Sequence, residues 1–594
     1  MSNLATEYQQ VTRALTGLIN ELAPGLSGQT QLVIKRLVHS MSQQHSCLQI
    51  QQNDLEAIAE LLASPIASTE NSGTPLIVRG SQLYFHRYFQ LERKIAENLA
   101  ELNQPAAIPG FSLPSLDQFF QDGKPFIMQK IAAYQAVTRR LTIITGGPGT
   151  GKTSTVAKII SLIHGLQPAL TFALAAPTGK AASRLNQALQ QTWTANQFAH
   201  PSDISSQVQT LHRLLGISKD FGKPRFHHDR PLKFDILIVD EASMIDLSLM
   251  SNLLDALTEN TRLILLGDPG QLPSVETGNI LADLTQPLPG FSPATLTLFD
   301  RYFKADSQTL GKHSRLVDAV CELNHSFRFS QHQGIGKLAL AISMGDPEFP
   351  AHSDQIEVRN LPESSVEQVS KPLSHYISLL GTPQPVQQLF DELNRFKILT
   401  PTREGPWGVI HINRQIENTL ETLSLKQPDQ SHYHGRAIMI LTNDYVHGLF
   451  NGDIGLCIDR RRIDGLTSTT DDSSKPSMVA CFPDTSGFKT VPLSRLPEHE
   501  TCFAMTVHKS QGSEFDQVSL VLAQAESDAS QNLQTRELLY TAVTRCREKV
   551  CIYTDPSTWQ QAVQRQLGRS SGLAEFLTET GQQPDHKSSK LEEK

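Results

Sequence analysis

The chain has little of what secreted and membrane proteins depend on. It holds seven cysteines in 594 residues, and no two of them stand at the C-x-x-C spacing of a zinc site. An odd, scattered set of thiols is not a disulfide framework, so we expect reduced cysteines in a cytoplasmic protein. No apolar run approaches the roughly eighteen residues that cross a bilayer, and the first residues lack the apolar core of a signal peptide, so we expect no membrane attachment.

A strong charge of one sign is also missing. The net charge is −8 at pH 7, which excludes a protein that is basic over its whole surface. A local basic stripe would still be enough to bind nucleic acid. Residues 217–233 contain such a stripe, which fits either a nucleic-acid contact or a solvated surface. The length predicts several domains rather than one core.

A glycine-rich stretch predicts a phosphate-binding loop. It lies between the apolar run 141–144 and a helical pattern at 155–160, which is the strand, loop and helix context of such loops. Its glycines let backbone N–H groups turn inward around phosphates at a helix N-terminus. The candidate nucleotide-binding residues are Gln129, Gly146, Gly147, Pro148, Gly149, Thr150, Gly151, Lys152, Thr153 and Ser154.

Residues in and after this loop have the chemistry of triphosphate hydrolysis. Lys152 can reach the outer phosphates of ATP, and the Thr153 hydroxyl can ligate Mg²⁺. The apolar run 236–239 ends in Asp240 and Glu241, which are suited to holding Mg²⁺ and to polarising the attacking water, respectively. The structural alternative is a buried strand with acidic residues at its solvent end.

Four more side chains are candidates for this site. Gln271 follows the strand-like run 263–266 and can sense the γ-phosphate. An arginine that a second domain brings into a cleft stabilises γ-phosphate charge only when the domains close, and Arg328 and Arg545 are the candidates. Gln129, upstream of the loop, can present its amide to an adenine edge.

Alternating strand and helix patterns predict an α/β protein with parallel sheets and its ligand at the strand carboxyl ends. The first segment reads as mainly helical, with a hairpin around Gly80 and Ser81. The expected divisions are a partner-docking domain at 1–110, a first ATPase domain at 111–312, a second at 313–434 and 500–575, an inserted small β-barrel at 435–499 and a disordered tail at 576–594.

Assembled in order, the motifs resemble the RecD branch of the superfamily 1 DNA helicases. The stretches that carry the resemblance are GGPGTGKT, APTGKAA, TLHRLLG, IVDEASMID, GDPGQLPS, the run NDY…LFNGDIG, TVHKSQGSEF and YTAVTR, between Gln129 and Arg547. One departure is Phe327, where many relatives have a tyrosine before the arginine, and we expect the phenylalanine to pack in the same way. The N-terminal segment resembles the family mainly in size and position.

The resemblance implies two RecA-like P-loop NTPase domains and a 5′→3′ DNA helicase motor that uses ATP and Mg²⁺. It also implies RecB-like and RecC-like partner subunits in a heterotrimer, which degrades linear duplex DNA for double-strand-break repair and recombination in the bacterial cytoplasm, at the nucleoid. By the same resemblance, the residues that face single-stranded DNA are Thr178, His212, Thr506 and His508.

Three alternatives bear on this interpretation. A stand-alone RecD-like helicase shares the motifs but usually carries a longer N-terminal extension, so the short N-terminus here favours the subunit form. An ATP-gated binding subunit would need no DNA-facing motifs. A nuclease needs carboxylates and a lysine clustered around Mg²⁺, and the only similar pattern, near Asp585, lies in the polar tail, so we expect nuclease activity in a partner chain.

Overall fold

Strands of the computed structural model form four sheets within the residues that it describes. Those residues are 14–15, 17–19, 21–69, 73–121, 123–202, 204, 208–217, 222–303, 314–328, 334–444, 446–462, 478–484 and 487–578. Among them, no helix combines the length and apolarity needed to span a membrane.

The N-terminal region adds a four-stranded sheet to the helices that the sequence predicted. The helices are α1 (Gly28–Ser42), α2 (Leu55–Leu62) and α3 (His86–Leu102), and the strands are β1 (Cys47–Gln49), β2 (Ala67–Ser68), β3 (Leu76–Arg79) and β4 (Gln82–Phe85), in the order β1-β4-β3-β2. The predicted hairpin is present as the antiparallel pair β3–β4. Strands as short as β1 and β2 carry no alternation that a sequence could reveal.

The first ATPase domain is built on a six-stranded sheet whose strands all run parallel. Its order is β10-β5-β9-β8-β6-β7. The strands are β5 (Leu141–Gly146), β6 (Phe172–Ala176), β7 (Val208–Thr210), β8 (Ile236–Val239), β9 (Arg262–Gly267) and β10 (Val320–Leu323). Helices cover both faces: α4 (Ile127–Thr138), α5 (Lys152–Leu166), α6 (Gly179–Asn196), α7 (Leu211–Leu214), α8 (Leu247–Asp255), α9 (Ile280–Thr285) and α10 (Pro293–Phe303).

Burial on both faces explains why these strands read as continuous apolar runs, since every residue of β5, β8 and β9 is buried. The sheet extends further along the chain than we expected. Strand β10 pairs with β5 in parallel, so the first domain continues past the boundary at 312 to at least Leu323.

A second sheet, also all parallel, has five strands in the order β11-β20-β19-β12-β18. They are β11 (Ile356–Arg359), β12 (Phe396–Thr400), β18 (Ala504–Thr506), β19 (Phe515–Val521) and β20 (Cys546–Tyr553). Its helices are α11 (Gly334–Met344), α12 (Val366–Ser370), α13 (Ser374–Leu379), α14 (Val386–Arg395), α15 (Val409–Thr422), α16 (Asp528–Leu533), α17 (Arg536–Val543) and α18 (Pro556–Gln564). The two parallel sheets confirm the predicted α/β class.

The insert between β12 and β18 is a five-stranded antiparallel sheet with a core of its own. Its strands are β13 (Arg436–Ile440), β14 (Ile454–Asp459), β15 (Met478–Asp484), β16 (Gly487–Pro492) and β17 (His499–Thr501). Their order, β16-β15-β14-β13-β17, leaves β16 and β17 at opposite edges, with no pairing between them in the described residues. The expected barrel is therefore not confirmed.

After α18 the chain leaves the second domain and returns to the N-terminal region. The backbone N–H of Ser570 donates to Nδ1 of His45 (2.7 Å), and the Ser46 N–H donates to the Ser570 carbonyl (3.0 Å). The segment ends in α19 (Leu573–Thr578), which packs on α3 and α9. Residues 576–578 thus belong to a helix rather than to the expected tail, and residues 579–594 lie outside the described ones.

Candidate ATP site and DNA-facing edge

The loop between β5 and α5 has the backbone of a phosphate cradle. Gly149 and Gly151 have φ angles of +78° and +84°, a region that strains any residue with a Cβ. Space is equally restrictive, because a Cβ on Gly151 would lie 2.7 Å from Nε2 of Gln129. The Lys152 ammonium donates to the carbonyl oxygens of Gly146 (2.6 Å) and Gly147 (3.2 Å). A triphosphate fits such a loop, where backbone N–H groups, a helix N-terminus and an ammonium converge.

Gln129 buttresses this loop from α4. It is buried, and its Nε2 donates to the Thr150 carbonyl at 3.1 Å. Beside it, the rings of Phe126 and Phe327 stack with centroids 5.2 Å apart, and Phe327 is 47% exposed. The residue against which Phe327 packs is thus Phe126, which the sequence did not single out. An amide next to an exposed aromatic face is suited to a purine base.

Asp240 and Glu241 follow β8, which lies in the same sheet as β5. Burial, and next the Glu241 carboxylate, raise the pKa of Asp240 to about 6, while the Glu241 N–H donates to its Oδ1 at 2.8 Å. Glu241 has a φ of +52°, which turns the chain so that the two carboxylates do not continue the strand alternation. Oxygen donors from Asp240 and from the Thr153 hydroxyl are the kind that Mg²⁺ prefers, so the residues present fit this metal.

Gln271 lies in the loop after β9, where it joins a contact between the two domains. Its Nε2 donates to Oδ2 of Asp268 at 2.9 Å, and the hydroxyl of Tyr540, from α17 of the second domain, donates to the same oxygen at 3.1 Å. That hydroxyl also lies 2.9 Å from where a Cβ on Gly147 would be. The phosphate loop, Gln271 and the second domain therefore meet at Tyr540.

The two arginine candidates belong to different domains, contrary to our expectation for one of them. Arg545 precedes β20 of the second domain, is 3% exposed, and donates from Nε to the Thr541 carbonyl at 3.1 Å. Arg328 instead follows β10 of the first sheet, where the neighbouring Phe327 N–H donates to the Gly149 carbonyl at 2.8 Å. It is thus part of the wall of the phosphate loop.

Arg328 reaches across the cleft to an acidic residue that the sequence did not identify. Its Nη1 lies 2.8 Å from Oε1 of Glu514, and Arg184 of α6 pairs with the same oxygen. Burial opposes ionisation of Glu514, but these two arginines outweigh it and lower its pKa to about 2. Glu514 lies inside one of the motifs quoted above and Arg184 lies just after another, yet only their contact distinguishes them from other charged side chains.

The four candidate DNA-facing residues lie at or just beyond strand carboxyl ends. Thr178 follows β6 and caps α6, its Oγ1 accepting from the Ala181 N–H at 3.2 Å. Thr506 is the last residue of β18, and its Oγ1 accepts from the Lys509 N–H at 3.3 Å. His212, just after β7, is exposed. Burial, and next Arg569, lower the pKa of His508, which favours the neutral imidazole.

The insert touches the first domain at this same edge. Phe450 packs against Gly179, where a Cβ would lie 2.5 Å from Cγ of the ring. Nearby, Lys509 donates from Nζ to Oδ1 of Asn451 at 2.9 Å. Phe450 and Asn451 therefore link the insert to the loops after β6 and β18.

The basic segment ends away from the phosphate loop. His228 lies beside Asp255, the last residue of α8, and the Leu232 N–H donates to the Ala256 carbonyl at 2.8 Å. These contacts place its final residues at the amino ends of β8 and β9, which supports the solvated-surface alternative for them. Lys219 lies outside the described residues.

Comparisons with known proteins match parts of both parallel-sheet domains. A model described as "AAA domain" matches residues 129–277, and one described as "UvrD-like helicase C-terminal domain" matches residues 501–553. The chain is 35% identical to the RecBCD enzyme subunit RecD of Mycolicibacterium smegmatis, over 88% of this chain and 87% of that one. It is 32% identical to the same subunit of Haemophilus influenzae, over 85% and 82%.

More distant similarities are also present. The ATP-dependent RecD2 DNA helicase of Deinococcus radiodurans is 30% identical over 75% of this chain but only 51% of its own length. Among solved structures, Pif1 helicase from Candida albicans covers 76% of this chain and 97% of its own, with 17% identity and a TM-score of 0.40.

Proposed function

Because this chain belongs to the RecD family of DNA helicase subunits, we propose that it is the 5′→3′ motor of a RecBCD-like assembly. Membership of that family makes the chain an ATP-driven DNA helicase, with a P-loop that binds nucleotide together with a metal. We assign to it in addition a strand polarity, ATP and Mg²⁺ as the ligands, and a place beside RecB-like and RecC-like subunits in a heterotrimer that acts at duplex DNA ends.

One observation carries the motor assignment. The phosphate loop and the carboxylates of the first domain face Tyr540 and Arg545 of the second, while the candidate DNA contacts lie at the carboxyl edges of both sheets. Closing the cleft on a nucleotide therefore changes the distance between the two DNA-facing edges. Repeated closing and opening shifts the grip along the strand.

In the first domain, each candidate has a distinct role. Lys152 binds the outer phosphates, and Thr153 and Asp240 hold the metal, which would supply charge neutralisation for phosphoryl transfer. Glu241, whose backbone is left-handed with a φ of +52°, accepts the proton of the attacking water. Gln129 braces the loop and orients the base.

Residues around the cleft respond to the γ-phosphate. Gln271 senses it from the loop that also contacts Tyr540. Arg328 and Arg545 stabilise its charge from opposite domains, so both act together only in the closed cleft. Ordering of these side chains by closure couples hydrolysis to motion.

The test of the ATP site compares two identical substitutions in one helix. Lys152→Gln removes the ammonium at the loop, and we expect loss of DNA-stimulated ATP hydrolysis by about a hundredfold or more with the melting temperature retained. Lys158→Gln, six residues along α5, removes an ammonium that faces the ring of Phe120 instead, 4.9 Å from its centroid. It should stay near wild-type turnover. Near-normal hydrolysis by folded Lys152→Gln protein would refute the assignment.

Polarity is tested with tailed duplexes. We expect unwinding of a duplex with a 5′ single-stranded tail and none with a 3′ tail, because the motifs of this chain resemble those of 5′→3′ helicases. The reverse preference would move the chain to the other helicase branch. ATP hydrolysis that is insensitive to single-stranded DNA would favour the binding-subunit alternative.

We propose the N-terminal region as the surface that docks the partner subunits. Leucines of this region that remain exposed are Leu18, Leu22, Leu32, Leu55 and Leu62, at 37–59% exposure. The first turn of α1 lies beside the residues just before α2, since Nε2 of Gln29 donates to the Asn53 carbonyl at 2.6 Å. We propose Leu32, three residues after Gln29 in α1, and Leu55, two residues after Asn53, as apolar contacts of this docking surface.

The docking proposal is tested by co-purification from the native host, where we expect the chain in the cytoplasm at the nucleoid. Leu32→Lys with Leu55→Lys should release two larger chains while ATP hydrolysis stays within about twofold. The matched control is Leu423→Lys, an equally exposed leucine of the second domain at 53% exposure. If wild-type protein purifies alone yet unwinds 5′-tailed DNA, the stand-alone alternative, as in RecD2-like helicases, is correct.

A further inference from the structure

Glu514 is the meeting point of charges from both ATPase domains. It directly precedes β19 of the second sheet, and three guanidinium groups surround it. Arg184 and Arg328 come from the first domain and share its Oε1. Arg547 comes from β20 of its own domain and donates to Oε2 from Nε and Nη2, each at 3.2 Å.

Burial makes these pairs more than surface contacts. The Glu514 side chain is 11% exposed, whereas the paired arginines are 30–50% exposed. A carboxylate held in a low-dielectric cleft interacts with its partners more strongly than an exposed ion pair does. Removing its charge therefore affects Arg184 and Arg328 together.

Arg328 is held from two sides. Its backbone forms the wall of the phosphate loop, where a Cβ on Gly149 would clash with its side chain, while its guanidinium is held by the other domain. A guanidinium carries five N–H donors in a planar fork and can serve a carboxylate and a phosphate at once. The carboxylate thus sets where the fork points.

We propose that Glu514 is a positioning residue for ATP hydrolysis, which aims Arg328 at the phosphate loop and ties that aim to closure of the two domains through Arg184. The inference rests on the proposed role of Arg328. Glu514 itself does not touch the reacting atoms; it acts through the arginine. The consequence is that the arginine is correctly aimed only when the second domain is in place.

Arg184 and Arg547 provide a control that separates positioning across the cleft from local stabilisation. Both pair with Glu514, but Arg184 crosses the cleft and Arg547 stays within the second domain. If the pair across the cleft is what matters, Arg184→Gln impairs hydrolysis and Arg547→Gln does not. If Glu514 only stabilises its own domain, the order is reversed.

The experiment measures kcat and KM for ATP on the full chain at saturating single-stranded DNA. We expect Glu514→Gln to lower kcat about tenfold and Arg184→Gln about fivefold, with KM within about twofold, since binding by the loop is unchanged. The double variant should be no worse than Glu514→Gln alone, because both remove the same link. Glu514→Asp should recover part of the loss, and Arg547→Gln should stay within about twofold of wild type.

Other outcomes overturn the inference. A loss for Arg547→Gln equal to that for Glu514→Gln, with Arg184→Gln unaffected, would mean a local structural role. Additive losses in the double variant would mean that no shared link exists. Arg328→Gln is measured alongside as a control. If it is impaired while Glu514→Gln and Arg184→Gln are normal, only this inference is wrong. If Arg328→Gln is itself normal, the proposed role of Arg328 is wrong. Melting temperatures identify any variant that does not fold.

Discussion

Tyr540→Phe removes one hydroxyl from the contact between the two ATPase domains and leaves the ring in place. The hydroxyl donates to Oδ2 of Asp268 at 3.1 Å and lies against Gly147 of the phosphate loop. Burial, and next Asp268, raise the pKa of Tyr540, so the hydroxyl is a proton donor throughout the working pH range. Substitution by phenylalanine therefore deletes a single hydrogen bond across the cleft.

The magnitude follows from the partners that remain. A hydrogen bond to a charged group contributes about 1.5–3 kcal/mol. Asp268 keeps the Gln271 amide at 2.9 Å and the Gly270 N–H at 3.0 Å, so the lower end of that range applies. A loss of about 1.5 kcal/mol from the closed cleft corresponds to roughly a tenfold shift in the closing equilibrium.

The assay is steady-state ATP hydrolysis with and without single-stranded DNA. We expect Tyr540→Phe to lower the DNA-stimulated rate by up to about tenfold while its melting temperature changes little. Tyr553→Phe is the matched control, because its hydroxyl donates to the Gln368 carbonyl at 3.1 Å within the second domain. The reasoning is refuted if both variants behave alike, or if Tyr540→Phe keeps its DNA stimulation.

Three further substitutions test other contacts. Gly179→Ala is compatible with a helix start but would bring a Cβ 2.5 Å from Cγ of Phe450. We therefore expect about 1–3 kcal/mol of destabilisation and weaker binding of fluorescent single-stranded DNA. Adding Phe450→Ala should relieve both effects, and an unrelieved loss would contradict this. Burial raises the pKa of Asp283 from 3.8 to about 8, so between those pH values the folded state retains a proton that the unfolded state has lost. The stability of the fold therefore falls as the pH rises, by up to about 1.4 kcal/mol per pH unit. Asp283→Asn should flatten the fall in melting temperature between about pH 6 and pH 8, and parallel curves would count against it. Arg569→Ala removes hydrogen bonds to four acceptors, which are the carbonyl oxygens of Ser274, Glu276 and Gly278 and Oε1 of Gln44. We expect a loss of about 2–4 kcal/mol of folding stability and faster amide hydrogen exchange across 569–577. Unchanged exchange would mean that other contacts hold the segment.

Sequence patterns predicted the first parallel sheet and the residues that follow its strands, for a common physical reason, whereas a second such domain was expected only from the family resemblance. A buried parallel strand reads as an apolar run, and the residues that follow it must lie at one edge of the sheet. Lys152, Asp240 and Gln271 each follow such a run, so their proximity was predictable without coordinates. The strands β1 and β2 were not predictable, because two or three residues carry no periodicity.

Pairings between domains were decided only by the tertiary structure. Tyr540 and Asp268 are 272 residues apart in the chain, and nothing local to either residue indicates the other. The same holds for Glu514 and Arg184, which are ordinary charged side chains until the cleft brings them together. Local patterns specify elements and their edges, because backbone geometry and burial act over a few residues. Which edges face each other depends on how whole domains pack, and that is why the sequence predicted the phosphate loop while the structure alone revealed the charges that link it to the second domain.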